Sequence, residues 1–116
     1  SQFDIAIVLN QPSLDKFVPK IKPGGILIYD PYGIITPPQR EDINIYEIAA
    51  MDKAAEMKNS KVFNMIVLGG LLKVCDVAAV ESVEKALRKT LPERHHALIP
   101  LNMQAVNEGM NIIAKV

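Results

Sequence analysis

The chain has 116 residues, 49% of them apolar, and its 13 basic and 13 acidic side chains cancel. That length and apolar content fit one domain with a real core, so residues 1–116 are read as a single domain. The balanced charge excludes the basic footprint of a nucleic-acid binder and the cationic runs that seek anionic membranes.

In chain order, Phe3–Leu9 (FDIAIVL) is short, apolar and rich in β-branched residues, which predicts a strand buried on both faces. Asn10–Ser13 reads as a turn, with Ser13 as the N-cap of a helix whose apolar face is Leu14, Phe17, Val18 and Ile21. Lys22–Gly25 (KPGG) ends that helix, and Ile26–Tyr29 is a second buried strand ending at Asp30-Pro31. Residues 31–41 hold Pro31, Gly33, Pro37 and Pro38 and read as a loop.

Ile43–Ile48 alternates apolar and polar and predicts a third strand; Ala49–Met57 is alanine-rich and helical; Asn59-Ser60 breaks it. Val62–Cys75 predicts a buried helix. Asp76 is the expected cap of the next one, where Val80, Val83, Leu87 and Leu91 recur at helical spacing. On that helix Glu81 precedes Lys85 and Glu84 precedes Arg88 by four residues, the favourable order for ion pairs. Pro92 opens a last helical region, divided near Pro100, with Gly109 near its end. Strand–helix–strand order at short spacing predicts an α/β fold: three layers, α/β/α, with a mainly parallel sheet and a helical C-terminal half.

The longest apolar run, Ile66–Leu72, is far short of the ~20 residues that span a membrane. No signal peptide is visible, and the expected setting is cytoplasmic, without membrane or nucleic-acid partners. Cys75 is the only cysteine, so this chain alone builds no disulfide, iron–sulfur cluster or thiolate zinc site.

The residues offer little chemistry of their own. Gly24-Gly25 falls between a predicted helix and the following strand, the wrong edge for a dinucleotide-binding turn, and Gly69-Gly70 falls inside a helix. His95-His96 are adjacent, so on a helix they point about 100° apart and do not share an ion. No nucleophile–base pair or acid–base carboxylate pair can be argued, so no catalytic, cofactor-binding or metal-binding residue is assigned.

Six residues remain as interface or ligand-proximal candidates. Asp30 and the Asn10-Gln11 pair sit at predicted strand ends, where open α/β sheets receive ligands, although Asp30 also suits a turn cap. Asn64 is a polar residue in an apolar helix start, and a buried amide must be hydrogen-bonded, so it is expected either to tie a local backbone group or to reach across an interface. Gly69 and Gly70 each sacrifice about 1 kcal/mol of helix propensity. A flat strip of backbone that lets another element approach closely would offset that, and valine at either site would then destabilise the fold or block assembly.

Four stretches in order carry a resemblance over nearly the whole chain: "FDIAIVLNQPSLDK", "IKPGGILIYD", "NMIVLGGLLKV" and "LPERHHALIPLNMQAVNEG". Together they resemble the gamma subunit of 2-oxoacid:ferredoxin (acceptor) oxidoreductases, the pyruvate/2-oxoglutarate ferredoxin oxidoreductase family. That family opens with a glycine-rich strand–turn–helix carrying a Gly-x-Gly-Gly-Gln-Gly turn, which this sequence lacks. It looks like the later two-thirds of such a subunit. Ala78 also departs, standing where a serine-type cap is expected.

The resemblance implies a non-catalytic subunit of an enzyme that decarboxylates a 2-oxoacid oxidatively to an acyl-CoA. Electrons pass to ferredoxin or a similar acceptor. Thiamine diphosphate is expected on the alpha and beta partners, and iron–sulfur clusters on beta and, in many members, delta. The gamma subunit carries neither, and is expected to pack against the catalytic subunits and to wall the entry of coenzyme A. The tail "PERHHALIPLNMQA" resembles the 2-oxoglutarate branch. Two alternatives stand beside this: a fragment of a Rossmann-like S-adenosylmethionine-dependent methyltransferase, to which "KPGGILIYD" is also similar, and a non-catalytic interaction domain.

Overall fold

A computed structural model describes residues 2–75 and 78–116. The expected cap at Asp76 lies outside the described residues. Strands β1 (Phe3–Val8), β2 (Ile21–Tyr29), β3 (Asn44–Glu47) and β4 (Ala114–Lys115) form one sheet in the order β1-β2-β3-β4. The first two pairings are parallel and the last is antiparallel. Helices α1 (Gln11–Phe17), α2 (Ala50–Glu56), α3 (Phe63–Val74), α4 (Val80–Thr90) and α5 (Ile99–Ile112) complete the fold.

Strand alternation splits the core in two. Leu27, Tyr29 and Ile45 face Leu14 and Val18 on the α1 side. Ile28 and Ile48 face Ala54, Ile66, Val67 and Ala105 on the α2/α3/α5 side. This is the expected three-layer α/β/α arrangement with a mainly parallel sheet.

Several local readings need correction. The N-cap of α1 is Asn10, not Ser13: the Asn10 side chain accepts a hydrogen bond from the Ser13 backbone N–H at 2.9 Å. Asn10 is extended (φ −157°, ψ 164°), as a cap must be, and the helix therefore begins three residues earlier. Lys22–Gly25 does not merely end a helix; it lies within β2 as a bulge. Pairing jumps from Phe3↔Ile21 to Ile5↔Ile26, and Gly24 takes φ +83° to make the kink. The C-terminal β4 was not foreseen, because two residues carry no periodicity. It is held by the Val116 N–H, which donates to the Ile45 carbonyl at 2.9 Å.

β1 is not buried on both faces. It lies at the sheet edge, and Ile5 and Ile7 are exposed on the side that α3 and α5 cover elsewhere in the sheet. Of the two charge pairs expected on α4, Arg88–Glu84 forms at 2.9 Å, whereas Glu81–Lys85 does not appear among the described residues.

The two glycines of α3 do different things. A Cβ on Gly69 would run into the carbonyl group of Val106 on α5, and one on Gly109 of α5 would run into the carbonyl group of Ile66 on α3. The helices therefore meet backbone to backbone through reciprocal notches, at a separation only glycine allows. Gly70 instead makes room for side-chain tips: its Cβ would lie 2.6 Å from Ile48 Cδ1 and 3.0 Å from Ile113 Cδ1.

Gly69→Ala and Gly109→Ala should each lower stability by about 2–4 kcal/mol, because a carbonyl cannot step aside as a methyl can. Gly70→Ala should fall within about 1 kcal/mol of the parent, the gain in helix propensity offsetting a small shift of two isoleucine tips. Urea denaturation midpoints of the three variants check this ranking; equal midpoints for Gly69→Ala and the parent would refute the notch.

Candidate functional site

The C-terminal ends of β1, β2 and β3 lie side by side, and polar side chains knit the connections that leave them. Asp30 follows β2 and is 2% exposed. Its Oδ1 accepts from the Tyr32 N–H and its Oδ2 from the Met51 N–H, both at 2.9 Å. One carboxylate thus ties the loop after β2 to the start of α2. Two charge-assisted bonds make it a structural anchor, consistent with the turn-cap reading.

Gln11, in the first turn of α1, reaches across to the same loop. Its Oε1 accepts from the Ile35 N–H at 2.8 Å and from the Thr36 N–H at 2.9 Å. Its Nε2 donates to the Thr36 carbonyl at 3.2 Å and to Asp15 Oδ1 at 2.9 Å. A single amide therefore satisfies three backbone groups of one loop residue pair. Asn10 supplies the cap beside it, and Gly33 sits under the turn, where a Cβ would lie 3.3 Å from the Leu9 carbonyl oxygen. Asn10, Gln11 and Asp30 are thus brought together; Asn64, Gly69 and Gly70 are not part of this cluster.

Asn64 is exposed rather than buried. It falls on the outer side of α3, whereas Ile66, Val67, Gly69 and Gly70 lie on the buried face. Gly69 and Gly70 face α5 and the Ile48/Ile113 tips, so their close crossing lies within the sheet–helix core.

Arg40 closes the far end of the loop and was not foreseen. Its Nη1 donates to the Val18 carbonyl at 2.9 Å and the Ile21 carbonyl at 2.6 Å, and its Nε donates to Asp42 Oδ1 at 2.8 Å. The guanidinium holds the Asp42 carboxyl below the usual carboxylate range. A depression of about 390 Å³ lies between α1 and this segment, lined by Leu14, Val18, Pro37 and Arg40 among others. The sequence signal for Arg40 is faint: a basic residue after a diproline suggests a loop and nothing about its target.

No three metal-ligating side chains converge among the described residues. His95 is exposed, while His96 Nε2 lies 2.9 Å from the Leu91 carbonyl oxygen, a contact that requires the Nε2–H form and fastens the end of α4. Cys75 is buried, and desolvation pushes its thiol above its ordinary range. The arrangement can position and present loops; it offers no acid–base pair.

Gln11→Ala should speed hydrogen exchange at the Ile35 and Thr36 amides at least tenfold and leave the Ile28 amide in β2 unchanged, as read by NMR. Asp30→Ala should lower stability by about 1–3 kcal/mol by orphaning two N–H groups, seen as a fall in melting temperature. Cys75 should react with a maleimide at pH 8 far more slowly in the folded chain than in urea, since both burial and a suppressed thiolate protect it.

The sequence matches the family described as pyruvate ferredoxin/flavodoxin oxidoreductase over residues 1–112. It is 33% identical over 92 residues to the 2-oxoglutarate synthase subunit KorC of Methanocaldococcus jannaschii, covering 78% of this chain and 49% of KorC. The chain thus spans about half the length of that relative. The fold superposes with a TM-score of 0.82 and 25% identity on the keto/oxoacid ferredoxin oxidoreductase gamma subunit of Geobacter sulfurreducens, covering 97% of this chain and 62% of that one. It also matches the 2-oxoglutarate:ferredoxin oxidoreductase of Magnetococcus marinus, a structure described with 2-oxoglutarate, coenzyme A and succinyl-CoA bound. There the TM-score is 0.77 and the identity 26%, over 97% of this chain and 20% of that one. These likenesses favour the oxidoreductase resemblance over the methyltransferase alternative. With 112 of its 116 residues matched, the chain belongs to the pyruvate ferredoxin/flavodoxin oxidoreductase family.

Proposed function

We propose that this chain is the gamma component of a thiamine-diphosphate-dependent 2-oxoacid:ferredoxin oxidoreductase, with an assembly role and no active site of its own. The observation that carries the reading is the family match over residues 1–112, joined to a site whose polar groups are spent on backbone hydrogen bonds. An amide and a carboxylate used in that way hold a surface in shape; they are not left to move protons. A lone buried cysteine cannot supply the thiolates of an iron–sulfur cluster. Thiamine diphosphate and the clusters therefore belong, in this reading, to alpha, beta and delta partners in the cytoplasm, with ferredoxin or a similar acceptor meeting the complex. No described helix is long and apolar enough to cross a membrane.

The substrate we assign is 2-oxoglutarate, supported by the identity with KorC and by the Magnetococcus likeness. The coenzyme A described in the latter supports a place for this chain near the coenzyme's entry.

Co-expression with the candidate alpha and beta subunits, one of them tagged, tests the assignment. The chain should co-purify in fixed stoichiometry, and the complex should reduce a viologen dye in the presence of oxoacid and coenzyme A. 2-Oxoglutarate should give at least a tenfold higher kcat/KM than pyruvate or 2-oxoisovalerate. The chain alone should give no turnover; turnover by the isolated chain refutes the non-catalytic role.

A further inference from the structure

The loop between β2 and β3 is held in unequal parts. Residues 31–36 are tied down by Asp30 and Gln11, through the N–H groups of Tyr32, Ile35 and Thr36 and the Thr36 carbonyl. The far end is fixed by backbone, where the Asp42 carbonyl accepts from the Gly24 N–H at 2.7 Å. Between those points, residues 37–41 have a single tether. Every described hydrogen bond from them to the fold beyond the loop comes from the Arg40 guanidinium, which reaches the Val18 and Ile21 carbonyls. We propose that residues 37–41 are a hinged lid, latched by Arg40, that swings away from α1 between fixed points at Thr36 and Asp42 and uncovers Leu14 and Val18.

The lid is loosely seated. Pro37 and Pro38 have no N–H to donate, and Gln39 Nε2 donates back to the Pro37 carbonyl at 3.1 Å, inside the lid. None of residues 37–41 is buried. The floor beneath is different: Leu14 is 4% exposed and Val18 7%, and both pack against the sheet. The depression of about 390 Å³ lies where the two meet, with Leu14, Val18 and Pro19 on one side and Pro37, Pro38 and Arg40 on the other. Lid and floor therefore do not interlock. A segment with few buried contacts and one side-chain tether opens at a lower free energy than the domain unfolds. The paired prolines fix two successive φ angles, so the lid moves as a piece and bends at its ends.

The latch is built to release without stranding polar groups. Asp42 grips the guanidinium from the other side, at Nε and Nη2, and so aims Nη1 at the two carbonyls. The Val18 carbonyl also accepts the Ile21 N–H, so it keeps a partner when Arg40 leaves. The Ile21 carbonyl meets the water that enters as the lid lifts, and Arg40 stays paired with Asp42. Opening thus exchanges two hydrogen bonds for hydration and orphans no donor.

The test places Val18→Cys in the full chain and follows maleimide labelling at position 18 and at the native Cys75, which is 8% exposed at the end of α3. Adding Arg40→Ala should speed labelling at position 18 at least tenfold, on the order expected for loss of a charged tether, and change that of Cys75 less than about twofold. Asp42→Asn keeps the Arg40 side chain but loosens its aim, and should speed labelling at position 18 by about threefold. Glu41→Ala, at a lid residue with no described hydrogen bond, should leave both rates at the parent's. A parental rate at position 18 with Arg40→Ala overturns the latch, as does an equal rise at Cys75, since the whole domain is then opening. A parental rate with Asp42→Asn assigns the Arg40→Ala effect to lost shielding and overturns the lid. An effect of Glu41→Ala as large as that of Arg40→Ala overturns the single tether. Should Val18→Cys fail to fold, methyl NMR of the chain without it decides: Arg40→Ala should add exchange broadening at Leu14 and Val18 and none at Ile66, and unchanged Leu14 and Val18 signals refute the lid.

Discussion

The close contact of α3 with α5 governs the rest of the architecture. Gly69 lies under the Val106 carbonyl and Gly109 under the Ile66 carbonyl, so two helices share one narrow space above the sheet. That separation brings Ile66, Val67 and Ala105 into a single cluster over Ile28. It also leaves room at Gly70 for the tips of Ile48 and Ile113, one just past the end of β3 and the other just ahead of β4. Through those two isoleucines the helix pair fixes where β3 ends and where the chain returns to lie antiparallel beside it. Lys53 adds a weaker stitch, its Nζ 3.2 Å from Glu56 and 3.4 Å from Glu108, which links α2 to α5 at a surface position.

The opposite side of the sheet is organised by hydrogen bonds more than by bulk. α1 is two turns long and buries Leu14, and its register comes from the Asn10 cap, while Arg40 binds carbonyls just beyond its end. Gln11 and Asp30 then use this short helix and the strand ends as a frame for a loop with no regular structure beyond one turn at Pro31–Gly33. A proline-rich segment that would otherwise wander is held at four backbone N–H groups or carbonyls by two side chains. The site is consequently a mechanical one, and this fits a family whose relatives are named as subunits.

How much of this was legible in the sequence follows from the range of each interaction. Alanine-rich and apolar composition located α2 and α3, Pro92 and Pro100 framed α5, and helical spacing located α4, whose stripe of Val80, Val83 and Leu87 is half-buried. The first three strands were legible as short apolar or alternating runs. β1 was misjudged as doubly buried because an apolar run reads alike at an edge and in a centre; burial depends on what the sheet stacks against, which is not local. The Gly69-Gly70 signal was legible as a close crossing, yet its partner Gly109 was not, since nothing in a single sequence links positions forty residues apart. Asp30 and Gln11 were placed at the correct edge by the strand ends. Their hydrogen-bond partners at Met51 and Thr36 lie 21 and 25 residues away and needed coordinates. Asn64 lies one step of about 100° from the packed face of α3, on its exposed side, which a single sequence does not reveal.

Among the described residues β1 pairs on one flank only, with β2, and its Ile5 and Ile7 are exposed. A strand with open N–H and C=O groups accepts another extended segment readily, so this flank is where the sheet would gain a further strand.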